Sequence, residues 1–118
     1  MKKSLISLIL LCVVLGIRAQ DLRFKDGKFK IVQFTDLHYK LGNPASKQAT
    51  DCMYEVVKAE NPDLIVLTGD VIYAKPGDAC LQQILNVLTD LKRPFCYLLG
   101  NHDPEQGVAV GKLYDQAA

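Results

Sequence analysis

Three short polar stretches each follow a run of apolar residues, and they carry the side chains best suited to metal or proton chemistry. They read Asp36-Leu37-His38, Gly69-Asp70 and Gly100-Asn101-His102-Asp103. Carboxylates, imidazoles and amide oxygens bind divalent cations, and an imidazole is also able to act as a general acid or base. The apolar runs predict parallel strands, so their polar ends should meet along one edge of a sheet, where α/β proteins bind ligands.

The elements that would position these groups alternate along the chain. Strands are predicted at 30–36, 63–68 and 95–99, where short apolar runs end in the polar stretches. Between them, two amphipathic helices are indicated by residues at helical spacing: Ala49, Cys52, Met53, Val56 and Val57, then Leu81, Ile84, Leu85, Leu88 and Leu91. Ser46 is the candidate N-cap of the first helix, and Pro62 and Pro94 end the two helices.

The segment before the first strand predicts a β-hairpin. Asp26-Gly27 lies between two alternating segments, 22–25 and 28–31, and an Asp-Gly pair in that setting favours a two-residue turn. After Asp103 little further structure is expected, because Gly107 and Gly111 weaken a helix there. The fold class is therefore α/β, with a β-hairpin followed by β-α-β-α-β and right-handed crossovers.

The first 19 residues predict a signal peptide. Lys2 and Lys3 precede an apolar core from Leu5 to Leu15, and Ala19 before Gln20 is a plausible cleavage site. An uncleaved anchor is the alternative, since Ile17 is not the small residue usual at that position. We expect an exported protein, located in the periplasm, the cell envelope or the medium, with 20–118 as its domain and no membrane span after cleavage.

The net charge argues against one class of partner, and the cysteine spacing argues against a zinc site. The formal net charge is +1 for the 118 residues, and removing 1–19, with its three cations and no acid, moves it to −2. No nucleic-acid partner is expected from that balance. Three cysteines remain after cleavage, Cys52, Cys80 and Cys96, and an odd number cannot all form disulfides within the chain. They also lack the CxxC spacing of a zinc site, so we interpret them as small buried hydrophobic residues.

The polar stretches, in this order after three strands, resemble the calcineurin-like metallophosphoesterase family. The resemblance extends from about Phe24 to Asp103, and the segment Phe29-Lys30-Ile31-Val32-Gln33-Phe34-Thr35-Asp36-Leu37-His38-Tyr39 is similar to the purple acid phosphatase-like branch. Members of the family hydrolyse phosphomonoesters or phosphodiesters with a metal-bound hydroxide, so the partner implied is a phosphate-ester small molecule or a phosphorylated substrate.

The resemblance implies a dinuclear centre of two divalent or mixed-valence ions, Mn, Fe or Zn. Asp36, His38 and a bridging Asp70 would hold the first ion, and Asp70 and Asn101 the second. His102 would act on the substrate as the catalytic acid or anchor, with Asp103 orienting it. Tyr73 lies where purple acid phosphatases place an iron ligand, and the alternative for it is an aromatic packing beside the site.

The family pattern continues beyond what this chain offers. Family members add a later histidine and a Gly-His-x-His element, and pack two sheets face to face, whereas this sequence has two histidines in all. We therefore expect the N-terminal half of the fold, with an incomplete sheet. The expected function is a metal-dependent phosphoesterase, present here as a truncated chain. The alternative is a non-catalytic exported remnant that binds metal or depends on a partner.

Overall fold

The structure, a computed structural model, describes residues 22–118. The predicted signal peptide lies outside the described residues. Three strands, β1 (Ile31–Phe34), β2 (Leu64–Thr68) and β3 (Phe95–Leu98), form a parallel sheet in the order β1-β2-β3. This confirms the α/β fold class and the three parallel strands predicted from the apolar runs.

The two faces of the sheet differ in their cover. Ile65 and Leu67 of β2 are paired in register with Val32 and Phe34 of β1, and this face packs into the hydrophobic core. Side chains alternate between faces along a strand, so the neighbours of these residues point the other way. On that other face Ile31 and Leu98 are 54% and 58% exposed. The sheet is thus open on one face, as expected for part of a larger fold.

Helix α1 (Pro44–Glu60) follows β1 and buries Met53 and Val57 against the sheet. Its N-cap is Asn43, whose side-chain oxygen accepts from the backbone N–H of Ala45 at 2.9 Å. The prediction of Ser46 as N-cap was wrong. Ser46 lies buried in the first turn, where its hydroxyl accepts instead from the backbone N–H of Lys40.

Helix α2 (Gly77–Asp90) connects β2 to β3 and supplies the largest share of the core. Its predicted apolar positions Leu81, Ile84 and Leu88 are all fully buried. Burial of a side chain of this size contributes about 2 kcal/mol each, which far exceeds the helix propensity of these residues. The helical spacing in the sequence therefore located this element correctly.

Both ends of the described chain depart from expectation. The predicted hairpin is reduced to a turn at Asp26-Gly27, with one bridge between Lys25 and Lys28. After Asp103, a 3-10 turn (Asp103–Gln106) and helix α3 (Val110–Asp115) are present although little structure was expected there. Leu113 of α3 is fully buried. Its burial offsets the low helix propensity of this glycine-containing segment.

The cysteines also differ from the sequence interpretation. Cys80 is buried in the core, but Cys52 and Cys96 are exposed, on α1 and on the open sheet face respectively. The helical spacing predicted Cys52 on the apolar face of the first helix. In the structure its side chain is on the solvent-exposed side of α1. Within residues 22–118, no helix has the length and apolar character needed to cross a bilayer.

Candidate metal centre

The loops that follow β1 and β2 run side by side at the carboxyl edge of the sheet. The backbone N–H groups of Asp36 and His38 donate to the carbonyls of Gly69 and Asp70, at 3.1 and 3.0 Å. Further on, Tyr39 pairs with Ile72 in a parallel bridge. Parallel pairing therefore continues past the strands, and it holds the two polar stretches together as the sequence predicted.

The backbone at this edge adopts conformations that most residues avoid. Asp36, His38 and Asp70 have φ values of +54°, +44° and +49°, in the left-handed region. A non-glycine residue there costs about 1 kcal/mol, and such strain persists only where surrounding contacts hold it. All three residues belong to the polar stretches that the sequence singled out as candidate ligands.

Gly100 brings the third loop against the second. A Cβ atom at this position would lie 2.2 Å from the carboxylate oxygen Oδ1 of Asp70 and 2.5 Å from its backbone nitrogen. That close approach lets the backbone N–H of His102 donate to Oδ1 of Asp70 at 3.1 Å. Glycine is required here because any side chain would separate the two loops.

His38, Asp70 and His102 form a compact group of candidate ligands. Their ligating atoms all lie within 4.8 Å of one another, the one such group of histidine, cysteine and acidic residues in the described chain. Nε2 of His38 is 3.6 Å from Oδ2 of Asp70, too far for a hydrogen bond. This nitrogen is buried and has no hydrogen-bond partner. A buried, unpaired imidazole nitrogen facing a carboxylate is suited to a divalent cation.

The arrangement differs from the ligand sets that the resemblance implied. Oδ2 of Asp36 accepts a hydrogen bond from the Thr35 hydroxyl at 2.6 Å, and the Asp36 side chain lies outside the three-residue group. Asn101 is exposed. His102, expected to contact the substrate, is instead as close to His38 and Asp70 as a third ligand would be.

Glu105 is a functional neighbour that the sequence analysis missed. Its carboxylate is 2.8 Å from Nδ1 of His102, and this hydrogen bond raises the pKa of His102 above its ordinary value. Burial is the next largest effect and lowers the pKa of His102, whereas the negative charges of Glu105, Asp70 and Asp103 raise it by smaller amounts. The spacing of three residues across a helical turn was the signal available in the sequence.

Asp103 has a different place from the one expected. It is fully buried, and its two carboxylate oxygens accept from the backbone N–H groups of Ile72 and Gly100, at 2.8 and 2.6 Å. The residue therefore joins the loops after β2 and β3. In the structure, the group that hydrogen-bonds the His102 ring is Glu105.

Tyr73 packs against both histidines, whose own rings are 5.8 Å apart. Its ring contacts those of His38 and His102 edge-on, with centroids 5.0 and 5.1 Å apart, and it is 40% exposed. Nζ of Lys40 is 5.0 Å from the Tyr73 ring centroid, within cation-π range. Beside these residues, a cleft of about 330 Å³ is lined in part by Asp36, His38 and Lys40.

Comparison with known proteins places the chain in a family. The family model described as calcineurin-like phosphoesterase matches residues 29–117. The chain belongs to this family, which confirms the resemblance drawn from the three polar stretches. Calcineurin-like phosphoesterases generally bind divalent metal ions and act on phosphate esters, in agreement with the donor atoms at the carboxyl edge.

Several curated proteins are similar to the chain. It is 32% identical to probable inactive purple acid phosphatase 29 of Arabidopsis thaliana, over 88% of this chain and 34% of that protein. It is 34% identical to a probable cyclic nucleotide phosphodiesterase of Moraxella catarrhalis, over 70% of this chain and 30% of that protein. Phosphatase DCR2 of Saccharomyces cerevisiae is 32% identical over 85% of this chain and 20% of its own length.

The chain spans 20–34% of the length of these relatives. No solved structure gives a significant match.

Proposed function

We propose that this chain carries part of a metal-dependent phosphoesterase site in which His38 and Asp70 hold a divalent cation. The observation that carries the proposal is the buried Nε2 of His38, which has no hydrogen-bond partner and faces the Asp70 carboxylate. Removing such a nitrogen from water without a partner costs about 1–3 kcal/mol, which a bound cation would recover.

His102 is proposed as the third group of the site. Because its Nδ1 faces the Glu105 carboxylate, the neutral ring keeps its proton on Nδ1 and leaves Nε2 as a lone-pair donor. That nitrogen is suited either to the cation or to the oxygens of a phosphate group. Asp36 and Asn101 are proposed as further ligands at the edge of the site, as the family resemblance implies, for a second ion.

A bound divalent ion would supply Lewis-acid polarisation of a phosphoryl oxygen and would lower the pKa of a coordinated water. The residues of this chain contribute the remainder. His38 and Asp70 place negative charge and a lone pair at one point, and His102 presents a ring nitrogen beside it. The proposed reaction is hydrolysis of a phosphomonoester or a phosphodiester, with Mn, Fe or Zn as the ions.

Manganese binding, measured by titration calorimetry, tests the ligand assignment. We expect Asp70→Asn and His38→Ala each to weaken Mn²⁺ affinity at least about tenfold, since each removes a donor from a site with few of them. His102→Ala distinguishes its two roles. A similar loss of affinity indicates a ligand, whereas unchanged affinity with lost hydrolysis of p-nitrophenyl phosphate indicates a substrate contact.

Two control variants keep the test specific. Asp115→Asn removes an exposed carboxylate outside the site and should leave Mn²⁺ affinity unchanged. Tyr73→Phe keeps the ring but removes the hydroxyl, so unchanged affinity would assign Tyr73 to packing against the histidines rather than to metal binding. Unaltered Mn²⁺ binding in Asp70→Asn would contradict the proposal.

A non-catalytic metal-binding protein is the second candidate. One observation favours it: the Arabidopsis thaliana relative described above is named probable inactive. This candidate predicts Mn²⁺ binding that depends on Asp70, without hydrolysis of p-nitrophenyl phosphate or its diester. Hydrolysis that is abolished by Asp70→Asn would exclude it.

Export is proposed from residues 1–19 alone. The charged start and apolar core are typical of a secretory signal peptide, and the periplasm, the cell envelope or the medium is the proposed location. Amino-terminal sequencing of the protein from its host tests this, with Gln20 expected as the first residue. A chain that retains Met1 would instead indicate an uncleaved anchor or no export.

A further inference from the structure

The amino edge of the sheet, opposite the candidate metal centre, carries a basic cavity of about 810 Å³. It is formed by the segments that precede the three strands, and its lining includes Leu22, Phe29 and Asp63. Six cationic side chains line it, and we call this set the basic pole: Arg23, Lys25, Lys28, Lys30, Lys92 and Arg93. Neither the proposed metal site nor the family reaction uses these residues.

The cations of the basic pole remain accessible although some of them are paired. Nζ of Lys25 is 3.0 Å from Asp63, yet the Lys25 side chain is 77% exposed. Nζ of Lys30 contacts Glu60 at 3.2 Å and is 53% exposed. Ion pairs this exposed contribute little free energy, so the ammonium groups can exchange these partners for another anion. The carboxylates near the cavity are fewer than the cations, which leaves an excess of positive charge.

Large apolar side chains lie at the rim of this cavity. Phe24 is 76% exposed and Leu22 is 52% exposed. The Phe24 ring packs against Phe29, with centroids 5.8 Å apart, which holds it beside the cations. Exposed apolar groups among basic residues are typical of surfaces that bind lipid interfaces, where cations contact headgroups and apolar side chains enter the acyl boundary.

We propose that the basic pole docks this domain on an anionic phospholipid surface. The exposed Leu22 and Phe24 favour this ligand over a soluble phosphate compound or a nucleic acid. Leu22 has no ring for stacking on a base, and burial in an apolar phase is the gain that its exposure offers. Strands of four or five residues separate the basic pole from the metal centre by about 15 Å, so docking would leave that centre facing away from the lipid.

Vesicle co-sedimentation of the protein recovered after export tests the proposal. One set of vesicles is phosphatidylcholine alone, and the other contains about 30 mol% phosphatidylglycerol to supply negative charge. We expect binding at least about tenfold tighter to the anionic vesicles, and loss of most of that difference between about 0.05 and 0.5 M NaCl, because salt screens the attraction. The phosphatidylcholine arm measures any apolar contribution.

Paired charge variants locate the surface. Lys28→Glu with Lys92→Glu should remove at least about tenfold of the affinity for anionic vesicles, since each Lys at an anionic surface contributes about fivefold. Lys75→Glu with Lys112→Glu changes the net charge equally, away from the basic pole, and should keep most of the binding. Phe24→Ser should weaken binding severalfold. Far-UV circular dichroism checks that each variant remains folded.

Three results would overturn the proposal. Equal binding to both kinds of vesicle would remove the electrostatic basis, and an equal loss in the Lys75 and Lys112 control would show that only net charge matters. Binding of inorganic pyrophosphate or of a single-stranded oligonucleotide, without binding to anionic vesicles, would assign the cavity to that ligand. Each of these measurements is independent of Mn²⁺ binding, so failure here leaves the proposed metal site intact.

Discussion

The two edges of one small sheet differ in what holds their charged and polar groups. Both edges contain left-handed non-glycine residues, Asp36, His38 and Asp70 at the carboxyl edge and Asp26, Asn61 and Lys92 at the amino edge. At the carboxyl edge, a buried imidazole nitrogen lacks a hydrogen-bond partner. At the amino edge the charges sit on long side chains in exposed ion pairs. The carboxyl edge thus holds its polar groups in close contacts between loops, whereas the lysine charges of the basic pole can exchange partners.

This difference matches the two kinds of binding proposed. A small cation requires ligand atoms at defined positions, so its site needs side chains that are held by contacts between neighbouring loops. A lipid surface is soft and laterally mobile, and it needs charge density rather than exact geometry. Substitutions should therefore affect stability strongly at the carboxyl edge and weakly at the amino edge.

The largest effect is expected at Gly100. In Gly100→Ala the new Cβ would collide with the Asp70 backbone and carboxylate, so the loops after β2 and β3 must separate. We expect a loss of about 3 kcal/mol in the free energy of unfolding, together with loss of Mn²⁺ binding. Urea denaturation followed by circular dichroism measures the first, and calorimetry the second.

Gly111→Ala is the matched control for that substitution. A Cβ atom there meets nothing within 4 Å, and the residue is in helix α3. We expect stabilisation of about 0.5 kcal/mol, because alanine favours a helix more than glycine does. A destabilisation by Gly100→Ala no larger than the change in this control would refute the close contact between the loops.

A smaller effect is expected at Asp103. Asp103→Asn replaces one of two accepting oxygens with an NH₂ group, which would face the backbone N–H of Ile72 or Gly100. An unpaired buried donor costs about 2 kcal/mol, and thermal unfolding should show that loss. The exposed Asp115→Asn serves as control. Full stability in Asp103→Asn, with lost hydrolysis, would instead support the catalytic role expected from the sequence.

The smallest effect is expected at the amino edge, from Asp63. A hydrogen bond from the Lys30 backbone N–H lowers the pKa of Asp63 below its ordinary value of 3.8, and Lys25 adds to this. A depressed pKa stabilises the fold above pH 4, and that contribution is lost as the pH falls through the folded-state pKa. Asp63→Asn should therefore lower the unfolding temperature at pH 6 but not at pH 2.

Lys25→Gln separates the two causes of the lowered pKa of Asp63. It removes the ion pair with Asp63 but keeps the hydrogen bond from the Lys30 backbone, which is the larger cause. The difference in unfolding temperature between pH 6 and pH 2 should then fall only in part. If the unfolding temperature depended on pH identically in the unmodified protein, Asp63→Asn and Lys25→Gln, the assigned partners of Asp63 would be contradicted.

Local patterns predicted the elements whose apolar spacing is unambiguous. The helical repeat of Leu81, Ile84 and Leu88 located α2, and short apolar runs located the three strands. Capping was harder, because Asn43 and Ser46 are equally good caps by type. In the structure the Ser46 hydroxyl accepts from the backbone N–H of Lys40, and Asn43 caps the helix instead. Tertiary contacts of the loop before the helix decide between the two residues. Helix α3 was missed because its stability comes from the burial of Leu113, which propensity does not report.

The sequence by itself determined the residue types of the candidate site and their order after three strands, because strand periodicity and strand ends are local properties of the chain. The contact of Glu105 with the His102 ring is also local, since the two residues are three apart in one turn. Only the tertiary structure decided that His102 joins His38 and Asp70 and that Asp103 joins two loops. These partners come from loops separated by a helix in sequence. Which atoms meet there depends on left-handed backbone turns and on the close approach at Gly100, neither of which periodicity encodes.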